Sequence, residues 1–173
     1  SGYEEAAGQG LIAGINAARK LTKQDPVVLG RDEAYIGVMI DDLRTKSIEE
    51  PYRMFTSRAE FRLSLRSDNA DRRLTGVGRK AGTVDDARWQ RFTKKAEDIQ
   101  RLKKIVASTK HNGITLKQLL KRPGEDVAKL LSSHPAVANQ AFDDNVISAV
   151  IIDTKYEGYL DRQARQVAKF SKL

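Results

Sequence analysis

Two long amphipathic runs limit what this chain can fold into more than any other feature. From 85 to 106, Trp89, Phe92, Ala96, Ile99, Leu102 and Val106 recur at the three- and four-residue spacing that lines one face of an α-helix. Arg88, Arg91, Lys94, Lys95, Arg101, Lys103 and Lys104 take the other face, and Asp85 is placed to cap the first turn. Residues 143–173 read as a second long helix, with Ala149, Ile152, Tyr156, Leu160, Gln163, Val167 and Phe170 as its apolar stripe, although Val150-Ile151-Ile152 alone would pass for a strand. Between the two runs, 108–113 is a polar loop. Residues 115–121 and 124–133 are expected as short helices, each bounded by a proline (Pro123, Pro135).

Upstream, residues 4–20 also predict a helix, opened by Glu4 and Glu5 where carboxylates suit the positive helix end. Gly8, Gly10 and Gly14 each cost such a helix about 1 kcal/mol relative to alanine, so it needs a tertiary reason to persist. The small residues Ala6, Gly10, Ala13, Gly14 and Ala17 would let another backbone or a flat ligand come close; helix packing is the plainer of the two readings. The Gly8-x-Gly10-x-x-x-Gly14 spacing does not match a dinucleotide fingerprint. A loop is expected over 23–32. Ile36, Met39, Ile40 and Leu43 then place a short helix over 34–45, where Asp41-Asp42 is expected to be solvated or ion-paired rather than metal-binding.

The stretch from Glu50 to Arg66 carries Arg53, Arg58, Arg62 and Arg66, the last three at four-residue spacing. On a helix they would form one row of guanidinium forks, each matched to a phosphate. Ser57 with Glu60 makes a capping-box pattern that favours a helix. Phe61, Leu63 and Leu65 alternate with polar residues, which fits a strand. The helix is the preferred reading, with Asp68 as N-cap of a second short helix over 69–74 and with Gly76, Gly78 and Gly82 as turns.

The charge distribution points the same way. Residues 1–43 carry four basic and seven acidic side chains (−3), 44–104 carry seventeen and nine (+8), and 105–173 carry ten and seven (+3), which together give the net +8. A field concentrated in the middle third favours a polyanion such as nucleic acid, a solvated basic face being the alternative. There is no cysteine, so disulfides, thiolate nucleophiles and zinc–cysteine sites are excluded within these residues. No apolar run approaches the roughly 20 residues that cross a bilayer.

Several motifs in fixed order resemble the MnmG/GidA family. They are Gly2-Tyr3-Glu4-Glu5-Ala6-Ala7-Gly8-Gln9-Gly10-Leu11-Ile12-Ala13-Gly14-Ile15-Asn16-Ala17-Ala18, the run from Glu33 to Leu43, the Glu50–Arg66 stretch, Asp68-Asn69-Ala70-Asp71 and Lys155-Tyr156-Glu157-Gly158-Tyr159. The similarity is strong over residues 2–92 and weaker beyond. It implies a mainly α chain: the last helix of a glutathione-reductase-like FAD domain (1–22), a connecting arginine-rich helical segment (23–84) and a truncated helical C-terminal domain (85–173). It implies a protein that binds FAD, is reduced by NADH, and works with the GTPase MnmE to modify carbon 5 of the wobble uridine of certain tRNAs. Family members form homodimers in the bacterial cytoplasm or the mitochondrial matrix.

By the same resemblance Gln9 and Gly2 belong to the flavin pocket, and Arg53, Arg58, Arg62, Arg66 and Arg72 are candidates for the tRNA backbone. Some of these arginines could instead pair with Glu60, Asp68 or Asp71. The family's glycine-rich FAD motif, NADH segment and reactive cysteines have no counterpart in these 173 residues. The chain therefore reads as a fragment that is not expected to hold FAD or to catalyse a reaction alone. A non-catalytic helical module binding RNA or a protein through its basic face is the competing reading.

Overall fold

A computed structural model describes residues 2–122 and 126–170, the side chains of 164 and 166–170 excepted. Pro123 and Gly124, the carboxy-terminal residues 171–173, and the side chains of Val167 and Phe170 thus lie outside the described residues. The chain divides into two compact units, 1–89 and 90–173. Among the described residues it is built from α-helices, with one two-stranded ribbon. The mainly α expectation holds.

In the first unit, α1 (Tyr3–Leu21) carries Glu4 and Glu5 in its first turn and Arg19 and Lys20 in its last, complementing the helix dipole at both ends. Thr22 closes it, and Asn16 then anchors the returning chain. Its amide donates to the Val27 carbonyl at 2.9 Å and its carbonyl accepts from the Val27 N–H at 2.7 Å. The loop over 23–32 leads into α2 (Tyr35–Thr45), which buries Gly37, Val38, Met39 and Asp42. The expected face of Ile36, Met39, Ile40 and Leu43 is thus rotated: Leu43 is exposed and Val38 is fully buried. Two glycines set the packing. Gly8 of α1 leaves room for Ile36 and Met39 of α2. A Cβ on Gly37 would strike the Gly30 carbonyl and come within 2.6 Å of the Leu29 carbonyl, so only glycine lets that loop lie on α2.

The arginine stretch is neither of the two expected elements. Thr56–Arg58 is a single 3-10 turn, and the chain turns again where the Ser64 and Leu65 N–H groups donate to the Phe61 carbonyl. Tertiary contacts override the local signals. Ala59 and Leu65 pack under Val38, and Glu60, instead of capping Ser57, turns to Arg31. A second 3-10 turn (Ser67–Asn69) enters α3 (Ala70–Lys80). Gly76 and Gly78 lie inside α3 rather than in turns. Gly78 is held there by close contact, since a Cβ would sit 2.9 Å from Val84 Cγ2. Gly82, at φ 79°, does make the expected turn.

Helix α4 (Asp86–Ser108) begins as predicted, with Asp85 Oδ1 accepting from the Arg88 N–H at 2.7 Å. In the second unit its Ile99, Leu102 and Val106 enter a core shared with α5 (Leu116–Leu120), α6 (Val127–Ser133), α7 (Pro135–Ala138) and α8 (Asp144–Phe170). The polar loop is a tight hairpin: β1 (Lys110–His111) pairs antiparallel with β2 (Ile114–Thr115) across Asn112 and Gly113, both at positive φ. Thr115 and Gln118 close a capping box on α5. Helix α8 is continuous through Val150-Ile151-Ile152. Its buried residues are Val146, Ile147, Ala149, Val150, Ile151, Thr154 and Gln163, so Ala149 and Gln163 of the expected stripe are buried while Tyr156 is 39 % exposed.

Candidate functional site

The arginine segment is organised by a residue outside it. Arg31 is 21 % exposed and reaches Asp42 Oδ1 at 2.7 Å, Asp41 Oδ2 at 3.0 Å and Glu60 Oε1 at 2.8 Å, while also donating to the Arg58 carbonyl at 3.0 Å. Asp42 has no exposed surface and is fully partnered: Lys46 lies at 2.7 Å, the Tyr52 hydroxyl donates at 3.0 Å, and Arg58 approaches to 3.8 Å. Burial disfavours the Asp42 carboxylate, but the bonds from Lys46, Arg31 and Tyr52 outweigh it and hold its pKa below the ordinary value. Burial and the Asp42 charge push the Tyr52 hydroxyl up to about 12. Burial works against the Arg31 guanidinium, yet its bonds to Glu60, Asp42 and Asp41 raise its pKa further.

The five candidate RNA-binding arginines take different roles around this network. Arg58 lies over the Tyr52 ring, 4.8 Å from its centroid, with its carbonyl held by Arg31. Arg66 makes a two-pronged pair with Asp68 at 2.9 and 3.0 Å and donates to the Leu63 carbonyl at 2.8 Å; the Arg66 bonds hold Asp68 low. Arg72 has its Nε buried. Arg53 is 59 % exposed, with Glu5 Oε1 at 3.5 Å. Arg62 is exposed, with no ion pair among the described residues. Arg53 and Arg62 therefore present charge outward, whereas Arg58 and Arg66 brace the segment from within.

Two residues that bear on this surface, Arg73 and Arg31, were not singled out in the sequence, and a third, Glu5, was marked only as a helix-opening carboxylate. Arg73 ties α3 to the segment, donating to the carbonyls of Glu33 and Arg66 and to Asn69 Oδ1. Glu5 is 6 % exposed and accepts from the Met54 N–H at 2.9 Å, across 49 residues of sequence. That bond, more than any other influence, lowers the Glu5 pKa. Arg31 looks like an ordinary loop residue. No local pattern marks these tertiary roles, because each depends on a partner distant in sequence.

The candidate flavin residues lie on α1. Gly2 is its N-cap, with extended backbone and no side chain capping the helix, and a Cβ there would collide with Glu5 Oε2. Gln9 is half-buried one turn beyond Glu5. Gly10 and Gly14 have nothing within 4 Å of where a Cβ would stand, so within this chain their face of α1 is open. Among the described residues no cluster of histidine and carboxylate groups could hold a metal ion, and no helix is long and apolar enough to cross a membrane.

Two helical units, the first carrying an arginine-rich segment pinned to both α1 and α2, define a structural class with close counterparts. The family model described as "tRNA modifying enzyme MnmG/GidA C-terminal helical domain" matches residues 86–164, and the model described as "Glucose inhibited division protein A" matches residues 1–25. The chain belongs to the MnmG/GidA family.

Among its relatives, the tRNA uridine 5-carboxymethylaminomethyl modification enzyme MnmG of Protochlamydia amoebophila is 52% identical over 99% of this chain and 28% of its own length. That of Syntrophotalea carbinolica is 49% identical over 98% of this chain and 30% of its own length. Aquifex aeolicus GidA in its form I crystal superposes with a TM-score of 0.87 at 39% identity, covering 100% of this chain and 28% of that one. The chain thus spans less than a third of the length of these proteins.

Proposed function

We propose that this chain is part of a flavoprotein that modifies carbon 5 of the wobble uridine in tRNA. In this reading residues 1–22 close a FAD-binding domain, 23–84 carry an RNA-facing surface, and 85–173 form a helical domain that docks the GTPase partner MnmE. The full-length protein acts as a homodimer in a bacterial cytoplasm. The supporting observation is that nearly the whole chain aligns with relatives named for that modification.

The residues of α1 fit the cofactor. The uncapped helix N-terminus at Gly2 offers a positive dipole end to a group that takes on negative charge. Glu5 does not cancel it outright, because its carboxylate is turned to the Met54 N–H. Gln9 would contact the flavin from the same helix. FAD, once bound and reduced by NADH, supplies redox chemistry that no side chain here can provide. Arg53 and Arg62 hold phosphates, while Arg58, Arg66 and Arg72 act behind them by fixing the segment.

Full-length protein should purify yellow, Gln9→Ala should loosen its flavin, and tRNA from cells lacking the gene should lack the carbon-5 group. A colourless protein together with unchanged wobble uridine in the deletion strain would overturn the reading. The competing module, helical and non-catalytic, would bind RNA or a protein with no flavin present. If the arginines contact phosphates, tRNA binding weakens steeply with salt, and Arg53→Ala and Arg62→Ala each lower the log–log salt slope by about one.

A further inference from the structure

Burial alternates along the four residues that lead into the Thr56–Arg58 turn. Tyr52 is 3 % exposed and Met54 packs, partly buried, against the cluster of Val38, Ala59 and Leu65, whereas Arg53 and Phe55 face outward. Phe55 has extended backbone, at φ −98° and ψ 146°. Period-two alternation of this kind sets the outward pair on one side of the chain, about 7 Å apart. Phe55 is 60 % exposed, and the exposed hydroxyl residues Thr56 and Ser57 follow it. Its sequence neighbours are thus a cation and two hydroxyls, not an apolar patch.

The posture of Phe55 is fixed from beneath. The Tyr52 hydroxyl donates to the buried Asp42 at 3.0 Å, and the Met54 N–H donates to Glu5 Oε1 at 2.9 Å. The Phe55 carbonyl itself accepts from the Arg58 N–H at 2.9 Å. With its backbone ordered in advance, such a segment loses little freedom when it meets a ligand. A single exposed aromatic ring is common on protein surfaces. A ring held rigidly outward beside an outward guanidinium is a narrower case. It supplies the two parts that grip single-stranded nucleic acid, an aromatic face for a base and a cation for a phosphate.

We propose that Phe55 is a stacking platform for one unpaired base of an RNA loop, with Arg53 holding a phosphate of the same nucleotide. The proposal rests on the RNA-modifying reading above and adds to it a positioning residue that carries no charge. The net +8 of residues 44–104 draws the polyanion to this segment, and the ring then fixes where along the strand it settles. Every base has a π face, so the stack positions the loop without reading its sequence. A protein partner would need an apolar centre to its interface, which Arg53, Thr56 and Ser57 do not supply.

The test uses the full-length protein with an anticodon stem–loop RNA and a set of variants, each lacking one loop base but keeping its sugar and phosphate. Kd and its salt dependence are the readouts. Wild type should bind one abasic RNA about tenfold more weakly than the intact loop. Phe55→Leu should bind the intact loop about tenfold more weakly and show no further loss on that abasic RNA. Its salt slope should match wild type, because no phosphate contact has gone, whereas Arg53→Ala lowers the slope by about one. Phe55→Trp should bind the intact loop at least as tightly as wild type. Each abasic comparison sets two RNAs against one protein, so it does not depend on how well a variant folds. Equal weakening of Phe55→Leu on intact and abasic RNAs would mark a structural role and overturn the platform. Unchanged affinity in Phe55→Leu, or a wild type indifferent to every missing base, would overturn it too while leaving RNA binding intact. No binding of any RNA by wild type overturns the RNA-modifying reading and the platform with it.

Discussion

The two units are held together by different physics. In residues 90–173 fifteen buried apolar side chains, from Ile99 to Ile151, make one continuous cluster. In residues 1–89 the corresponding cluster has three buried members, Val38, Ala59 and Leu65, and the centre of the unit is the Arg31–Asp42 network. An apolar core tolerates small losses because its contacts are many and weak. A buried charge network does not, because removing one member leaves the others desolvated and unpaired. The second unit should therefore fail gradually and the first abruptly, and the first is the one that carries the candidate site.

The largest effect should come from Arg31→Met. It removes at once the donor shared by Asp41, Asp42, Glu60 and the Arg58 carbonyl, leaving Asp42 to Lys46 and Tyr52, and should cost about 3 kcal/mol or more, read as early loss of amide-exchange protection in 1–89 while 90–173 stays protected. Equal loss in both units would break the contrast. Leu131→Ala, at a fully buried site in the second unit, should cost about 3 kcal/mol through transfer and cavity terms and show the reverse pattern of protection. Gly37→Ala sharpens the comparison further. It adds one methyl against the Gly30 and Leu29 carbonyls, which should lower stability by about 1–3 kcal/mol in urea unfolding.

Acid should act more gradually and on the first unit first. Glu5, Asp42, Glu60 and Asp68 all have lowered pKa values there, against Glu157 in the second. A carboxylate whose folded pKa is depressed contributes stability above its unfolded value, near pH 4, and loses it as pH falls through the folded value. Amide exchange between pH 6 and 3 should show 1–89 opening first. Simultaneous opening would mean the charge network matters less than its geometry implies. The smallest effect is expected from Gly14→Ala, which should stabilise this chain by about 1 kcal/mol, since a Cβ there meets nothing. In the full-length protein the same change should instead weaken flavin retention if that face of α1 is covered by the FAD domain.

Helices whose stability is local were legible in the sequence. Helix α4 shows its cap, its stripe and its polar face within one stretch, and α1 declares both ends by charge. The arginine segment misled because its signals were also local, whereas its structure is not. The Ser57–Glu60 box was readable, but Glu60 has a better partner in Arg31. On α8 the expected stripe overlaps the buried face only in part: Ala149 and Gln163 are buried, whereas Tyr156, counted as apolar, lies at the surface. Of the candidate site, the residue types were visible and their division of labour was not. Whether an arginine braces or presents charge depends on Asp42, Tyr52 and Asp68, which spacing alone does not place.

One ion-pair cluster in the second unit has a further implication. Glu157 of α8 is held by both Lys117 and Lys121, each at 2.7 Å. Losing either lysine still leaves the carboxylate a partner, so the first substitution should be nearly silent and only the second felt. Such redundancy gives the helical unit room to drift: change at 117 or 121 is sheltered until the other position changes too. Arg31 instead serves Asp41, Glu60 and the Arg58 carbonyl as well as Asp42, so a single change there removes several bonds at once, and mutational robustness is expected to be lowest where the proposed RNA surface is built.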